Sequence, residues 1–156
     1  MPYNTWFTET AEVLKGVPGG VELLEWFGGK PTFGDGEVLE LSLKSRGPSR
    51  LRIVAFSSAN RGSEFGVLPS AIITFELADM IDASIEGFAR PNISGGLKLR
   101  YAREKNFHPS LLGIGMSIAD HEIELEPCAG VFGTIRASIV RVSFERLGSD
   151  DTIEPA

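Results

Sequence analysis

The sequence predicts an α+β fold: a mostly antiparallel β-sheet of about seven or eight strands, preceded by one or two short N-terminal helices. Three observations lead to this prediction. Apolar residues recur at helical spacing only in the first part of the chain. From Asp35 onward, apolar and polar residues alternate with a period of two, as in half-buried strands. The segments between these strands are too short for crossover helices, which favours antiparallel pairing.

Two segments near the N-terminus fit a helix. Thr8–Lys15 begins with a residue type that can cap a helix, and it ends before Gly16. Gly19–Phe27 has apolar residues at helical spacing and glutamates on the opposite face. Gly28 and Gly29 follow directly and predict a left-handed end to this second helix.

Eight later segments are predicted to be strands. They are Glu37–Leu43, Leu51–Phe56, Ala71–Leu77, Asp82–Phe88, Leu97–Tyr101, Ile114–Ile118, Asp120–Glu126 and Thr134–Arg146. In the first of them, we expect Leu39, Leu41 and Leu43 to share one face. In the last, Ile139 and Val140 are consecutive apolar residues, so the alternation slips by one position. Such a slip predicts a bulge or a strand that is buried on both faces.

The composition is that of one globular domain. Of the 156 residues, 42% are hydrophobic and 23% are charged, which is typical of a folded chain. We expect a single domain over residues 1–148 and a frayed acidic tail over residues 149–156. The apolar runs are far shorter than the ~20 residues that span a bilayer, and the N-terminus lacks the features of a secretory signal. These observations predict a cytoplasmic protein that does not enter a membrane.

The formal net charge of the chain is −6. This balance disfavours nucleic acid as a partner, because binding to phosphates needs clustered lysine and arginine. It is compatible with a basic partner protein.

The motifs of common enzymes and cofactor sites are missing, so we expect no enzyme, no cofactor and no metal. Gly16–Gly20 lacks the lysine of a phosphate-binding loop, and no serine lies in a Gly-x-Ser-x-Gly turn. His108 is expected in a surface loop, and His121 in the core with a backbone carbonyl as its partner. Cys128, the single cysteine, follows Pro127 in a turn without a basic neighbour, which predicts an unreactive thiol.

One candidate binding feature is a set of acidic residues that recur every second position, so that a strand presents all of them on one face. This acidic stripe consists of Asp120, Glu122, Glu124 and Glu126. Its members either pair across strands with Arg136 and Arg141 or form a negative surface that steers a basic partner. The same steering role is open to the N-terminal glutamates, which are Glu9, Glu12, Glu22 and Glu25.

The other candidate binding feature is the segment Pro31–Val38, in which Asp35 and Glu37 are two residues apart. Its glycines permit unusual backbone angles, and aspartate accepts local backbone hydrogen bonds, so the residues alone predict an ordinary turn. We expect Phe33 to be buried beneath this turn. A carboxylate pair with an acid–base role would need burial and a cleft.

This segment resembles the signature of the immunity protein 50 family, small bacterial proteins of polymorphic toxin systems. After a helix that ends in Trp-Phe-Gly-Gly, the family pattern reads Pro-Ser-Phe-His-Asp-Ala-Glu-Val. The matching positions are Pro31, Phe33, Asp35, Glu37 and Val38, and the departures are Thr32, Gly34 and Gly36. The order of later segments is also similar, at residues 72–75, 85–88 and 92–93, so that the resemblance covers about residues 18–145.

The resemblance implies that the chain binds and neutralises a cognate toxin. Gly34 replaces the histidine of the family pattern, which favours binding over catalysis, and the acidic balance suits a basic toxin such as a nuclease domain. Asp35 and Glu37 join the acidic stripe as candidate binding residues. The alternatives are a β-rich domain that binds or converts a small ligand in an apolar pocket, and a structural or oligomerisation module without a ligand.

Overall fold

A computed structural model describes residues 2–44, 48–57, 69–89, 92–93, 95–101 and 121–147. The described residues form two helices and six strands: α1 (Pro2–Lys15), α2 (Gly20–Trp26), β1 (Val38–Ser42), β2 (Ser49–Phe56), β3 (Ser70–Glu86), β4 (Gly96–Tyr101), β5 (His121–Glu126) and β6 (Phe132–Leu147). All strand pairs are antiparallel, in the order β1-β2-β3-β6-β5-β4. The predicted α+β class, with helices before an antiparallel sheet, is confirmed.

Some predicted features lie outside the described residues. They are His108, the strand Ile114–Ile118, Asp120 and the tail over residues 149–156. In the part of the chain that is described, no helix is both long and apolar enough to cross a membrane.

Both helices occur where the spacing predicts them. α1 begins at Pro2, six positions before the predicted Thr8, because proline fits the first turn of a helix and no breaker follows it. α2 ends in the predicted left-handed turn, in which Gly28 and Gly29 have φ angles of 71° and 89°. Their amides donate to Glu25 at 3.0 Å and Leu24 at 2.8 Å, the two bonds of a Schellman motif.

The inner face of the sheet packs against the two helices. Its fully buried side chains include Leu51, Ile53, Ile73, Phe75, Leu77, Leu97, Leu99, Ile123, Leu125 and Ile135. Phe33 is 2% exposed, which confirms its predicted burial. Its ring lies 5.1 Å from the ring of Phe27 and 6.1 Å from that of Phe75. Phe33 therefore connects the end of α2 to the centre of the sheet.

Hydrogen bonds also fix the helical layer to the sheet. At the edge strand β4, the amide of Leu99 donates to the buried hydroxyl of Thr10 at 3.1 Å. The hydroxyl of Tyr101 donates to the carbonyl of Glu12 at 3.0 Å. In the middle of the sheet, the amide of Val142 donates to the carbonyl of Pro18 at 2.9 Å. α1 thus satisfies a backbone donor that the edge of the sheet would otherwise expose.

The predicted slip in β6 is a bulge. Glu76 of β3 pairs with Arg141 and Leu77 pairs with Ile139, so Val140 has no partner in the ladder. Val140 is 51% exposed, whereas Ile139 and Val142 on either side of it are buried. The bulge lets the apolar residues before and after it share the inner face.

Two strand predictions are corrected. The segment Ala71–Leu77 and most of the segment Asp82–Phe88 belong to one strand, β3, which ends at Glu86 and whose pairing with β6 continues past an irregularity between Ala78 and Asp82. The interruption of the pattern is therefore an irregularity within one strand and not a turn between two. In β1, a register shift between Val38 and Glu40 makes Leu39 the extra residue. For this reason Val38, and not Leu39, is fully buried with the core.

Candidate functional site

The glutamates of β5 form an ionic ladder on the outer face of the sheet, opposite the helices. The ladder consists of Lys98 and Arg100 of β4, Glu122, Glu124 and Glu126 of β5, and Arg136 of β6. The register produces it, because Arg100, Glu122 and Arg136 lie side by side on three adjacent strands. Alternation places these side chains on the face opposite Ile123 and Leu125.

Each glutamate of the ladder contacts a cation. Arg100 lies 2.9 Å from Glu122 and also bonds Glu124. Arg136 approaches Glu122 at 3.5 Å, and Lys98 approaches Glu126 at 3.9 Å. Three carboxylates therefore face three cations, so the ladder has no net charge. Partly exposed pairs of this kind contribute only ~0.2–1 kcal/mol each, but together they hold the side chains in one arrangement.

The predicted partners of the acidic stripe are confirmed in part. Arg136 pairs with Glu122 as expected. Arg141 does not join the stripe, because the bulge at Val140 places it opposite Glu76, at 2.6 Å. The hydrogen bond and the negative charge of Glu76 raise the pKa of Arg141 above its ordinary value. The stripe's other cations, Lys98 and Arg100, were missed because the sequence does not show that β4 pairs with β5.

Asp35 and Glu37 lie at the entry to β1. Asp35 is exposed and has a φ of 63°, a left-handed conformation that aspartate tolerates better than most residues. Glu37 is partly buried, and its backbone forms a bridge to Ile93 and accepts the amide of Val54 at 2.9 Å. The segment therefore turns the chain from the helical layer into the sheet, as an ordinary turn would.

Gly36 fits this turn only because it has no side chain. A Cβ atom at this position would lie 1.8 Å from the carbonyl oxygen of Val54. A Cβ atom at Gly34 would meet nothing closer than 3.6 Å, an ordinary contact with the carbonyl of Gly95. Alanine, the residue of the immunity protein 50 pattern at position 36, would thus require this backbone to shift.

The chain matches no protein-family model, no curated protein and no solved structure. The resemblance to the immunity protein 50 family accordingly stays a prediction, carried by the matched residues of the segment Pro31–Val38.

His121 is buried on the inner face, as predicted. Its Nδ1 accepts the amide of Ile139 at 2.9 Å, next to the bulge at Val140. A ring nitrogen accepts a hydrogen bond only when it carries no proton, so this bond requires an unprotonated Nδ1. The ring also lies 5.8 Å from that of Tyr101. The described residues include no group of three or more His, Cys, Asp or Glu that could hold a metal ion.

Cys128 is an exposed free thiol. It lies in the turn after β5, directly before Ala129, which forms a backbone bridge with Ile93. The position agrees with the predicted turn.

The helical layer holds a different arrangement of charge. Glu12, Glu22 and Glu25 are exposed, and Glu9 is partly buried. Glu12 pairs with Lys15 at 3.1 Å. Neither Glu22 nor Glu25 forms an ion pair with any residue that the structure describes. On α2, therefore, the carboxylates of Glu22 and Glu25 have no cation partner among the described residues.

An open groove of about 450 Å³ lies between α1 and α2. Its lining consists of Ala11 and Lys15 of α1, Val21, Leu24 and Glu25 of α2, and the turn glycines Gly28 and Gly29. The groove and the unpaired glutamates are adjacent, because Glu25 belongs to both. Sequence reasoning named the N-terminal glutamates but missed the groove, since the packing of one helix on the other is not visible in the periodicity.

Proposed function

We propose that this chain is an immunity-type protein that binds and neutralises a cognate bacterial toxin, with the helical layer as the surface that attracts it. The resemblance at Pro31–Val38 supplies the class of partner. The observation that carries the proposal is that Glu22 and Glu25 of α2 are exposed and have no cation partner in the part of the chain that the structure describes.

The distribution of charge distinguishes the two acidic candidates. On the outer face, the three glutamates of the ladder are matched by three cations, so this face presents little field to a distant partner. On the helices, Glu22 and Glu25 face solvent without a cation partner among the described residues. Complementary charge acts mainly on the rate at which partners meet. A basic toxin would therefore be attracted by the helical layer.

The direct test is neutralisation of the toxin. The toxin domain encoded beside this chain is expressed in bacteria with and without it, and purified toxin is tested for complex formation. We expect the chain to restore growth and to co-purify with the toxin. Growth arrest that the chain does not relieve, together with no complex, would exclude the proposed function.

Charge substitutions then identify the surface. We expect Glu22→Gln/Glu25→Gln to slow association with the toxin by roughly tenfold at low salt, and much less at about 1 M salt, where the Debye length is only ~3 Å. The matched control, Glu122→Gln/Glu124→Gln, removes the same number of charges from the opposite face and should change the rate far less. Stopped-flow or surface-based kinetics measures both. The reverse order of effects would assign the binding surface to the acidic stripe.

A further inference from the structure

The groove between α1 and α2 has an apolar floor that stays accessible. Val21 is 46% exposed although it is a large apolar residue. Leu24 and Ala11 continue the apolar surface inward. Exposed apolar surface at a concave site is a common mark of a binding surface.

One end of the groove is kept open by the turn that terminates α2. Gly28 and Gly29 line this end without side chains. A Cβ atom added at Gly29 would meet nothing within 4 Å, so the space beside it is empty among the described residues. The Schellman motif thus both ends the helix and leaves room for a group from outside.

The charged side chains around the groove that lack a partner among the described residues are negative. Glu25 lines the groove, and Glu22 lies one turn away on the same short helix. The one cation in the described lining, Lys15, is already paired with Glu12 at 3.1 Å. The rim therefore favours a ligand that is positively charged beside its apolar part.

We infer that this groove is the docking site for a basic amphipathic segment of a partner protein. Apolar side chains of the segment lie on Val21 and Leu24, and its lysines or arginines face Glu22 and Glu25. A cleft between two helices accepts a third helix through apolar residues spaced three and four apart. The volume of about 450 Å³ lies in the lower part of the roughly 300–1,000 Å³ range of ligand pockets, which suits a short segment. This inference deepens the proposed function, on which the identity of the partner as a toxin rests.

The first test uses a defined probe in place of the partner. A helical peptide of roughly 15 residues carries leucine at every third or fourth position and lysine elsewhere. A control peptide has glutamate in place of lysine. Calorimetry with the full chain should show binding of the lysine peptide and no binding of the glutamate peptide.

Variants of exposed residues locate the binding. We expect Val21→Ser and Glu25→Lys each to lower the affinity for the lysine peptide by several-fold. The double variant should lower this affinity by roughly tenfold or more. Val140→Ser is a matched control, because Val140 is 51% exposed but lies on the sheet. Glu86→Lys is the control for charge reversal, since Glu86 is exposed at the end of β3. Both controls should bind like the parent chain, and thermal melting checks that all variants fold.

The outcomes separate the groove from the proposed function. Equal binding of the peptide by the parent and by the double variant would overturn the inference about the groove. Unchanged toxin binding by the double variant would also overturn it, while leaving neutralisation of the toxin intact. If the groove variants lose the peptide but the parent chain neither binds nor neutralises the toxin, the docking site is supported and the toxin is excluded as its partner. A groove that takes a small apolar compound but no peptide would contradict the inference.

Discussion

Phe33→Ala is expected to lower the free energy of unfolding by ~3–5 kcal/mol, the usual cost of removing a buried phenylalanine. Phe33 is 2% exposed, and its ring lies between those of Phe27 and Phe75. Its loss therefore opens a cavity where the helical layer meets the centre of the sheet. Because a domain is typically stable by only ~5–15 kcal/mol, the variant should lose a large share of its stability.

Denaturant titration followed by circular dichroism measures this effect. Phe88→Ala provides a matched control, since Phe88 is 56% exposed and its truncation should cost little. Similar losses for the two variants would show that Phe33 does not hold the two layers together.

Gly36→Ala is expected to destabilise the chain by about 1–3 kcal/mol, although it adds a single methyl group. The added Cβ would lie 1.8 Å from the carbonyl oxygen of Val54. The backbone must shift to relieve this contact, and the shift strains the bond between the Val54 amide and the Glu37 carbonyl. Thermal melting of purified variants gives the comparison.

Gly34→Ala, two positions earlier, is the control, because its Cβ meets nothing closer than 3.6 Å. We expect it to melt close to the parent chain. The pair also bears on the resemblance, since the immunity protein 50 pattern has alanine at position 36. A fully stable Gly36→Ala protein would mean that the segment accepts the residue of the family, and would strengthen the resemblance.

Much of the fold could be predicted because one face of the sheet is buried and the other is not. Burial on one face forces apolar residues to alternate with polar ones. For this reason the sequence predicted β4 and β5 with nearly the bounds that they have. The slip at Ile139 and Val140 also predicted the bulge, since an extra residue is the simplest way to keep an apolar run on one face.

The remaining features depend on pairing between distant segments, which the alternation does not encode. β3 was divided in two because an irregularity and a turn interrupt the pattern in the same way. The order of the strands follows from packing and is not local. The partners of the acidic stripe show the same limit, because Arg136 is joined to β5 by a short turn, whereas Arg100 precedes it by twenty residues or more.

In the candidate site, the charged residues could be predicted but their pairing could not. Charges are visible in a sequence, so Glu22 and Glu25 were identified as candidates together with the acidic stripe. Whether such charges are neutralised depends on which strands lie side by side, and only the register across β4, β5 and β6 shows that the glutamates of the ionic ladder are balanced. Likewise, the groove needs both helices in place before Ala11 of α1 and Val21 of α2 can line one surface.

The central pairing of the sheet, β3 with β6, has a consequence for how the chain folds. Its nearest partners, Glu86 and Phe132, are 46 positions apart, and its most distant, Ser70 and Leu147, are 77 apart. Contacts between such distant residues slow folding, because a long loop must close before they form. At a synthesis rate of ~5–20 residues per second, the edge of β3 stays unpaired for roughly 2–9 s before the first residue of β6 is synthesised. A nascent chain therefore carries the helices and the first three strands with an open sheet edge, which is the stage at which protection by a chaperone would matter most.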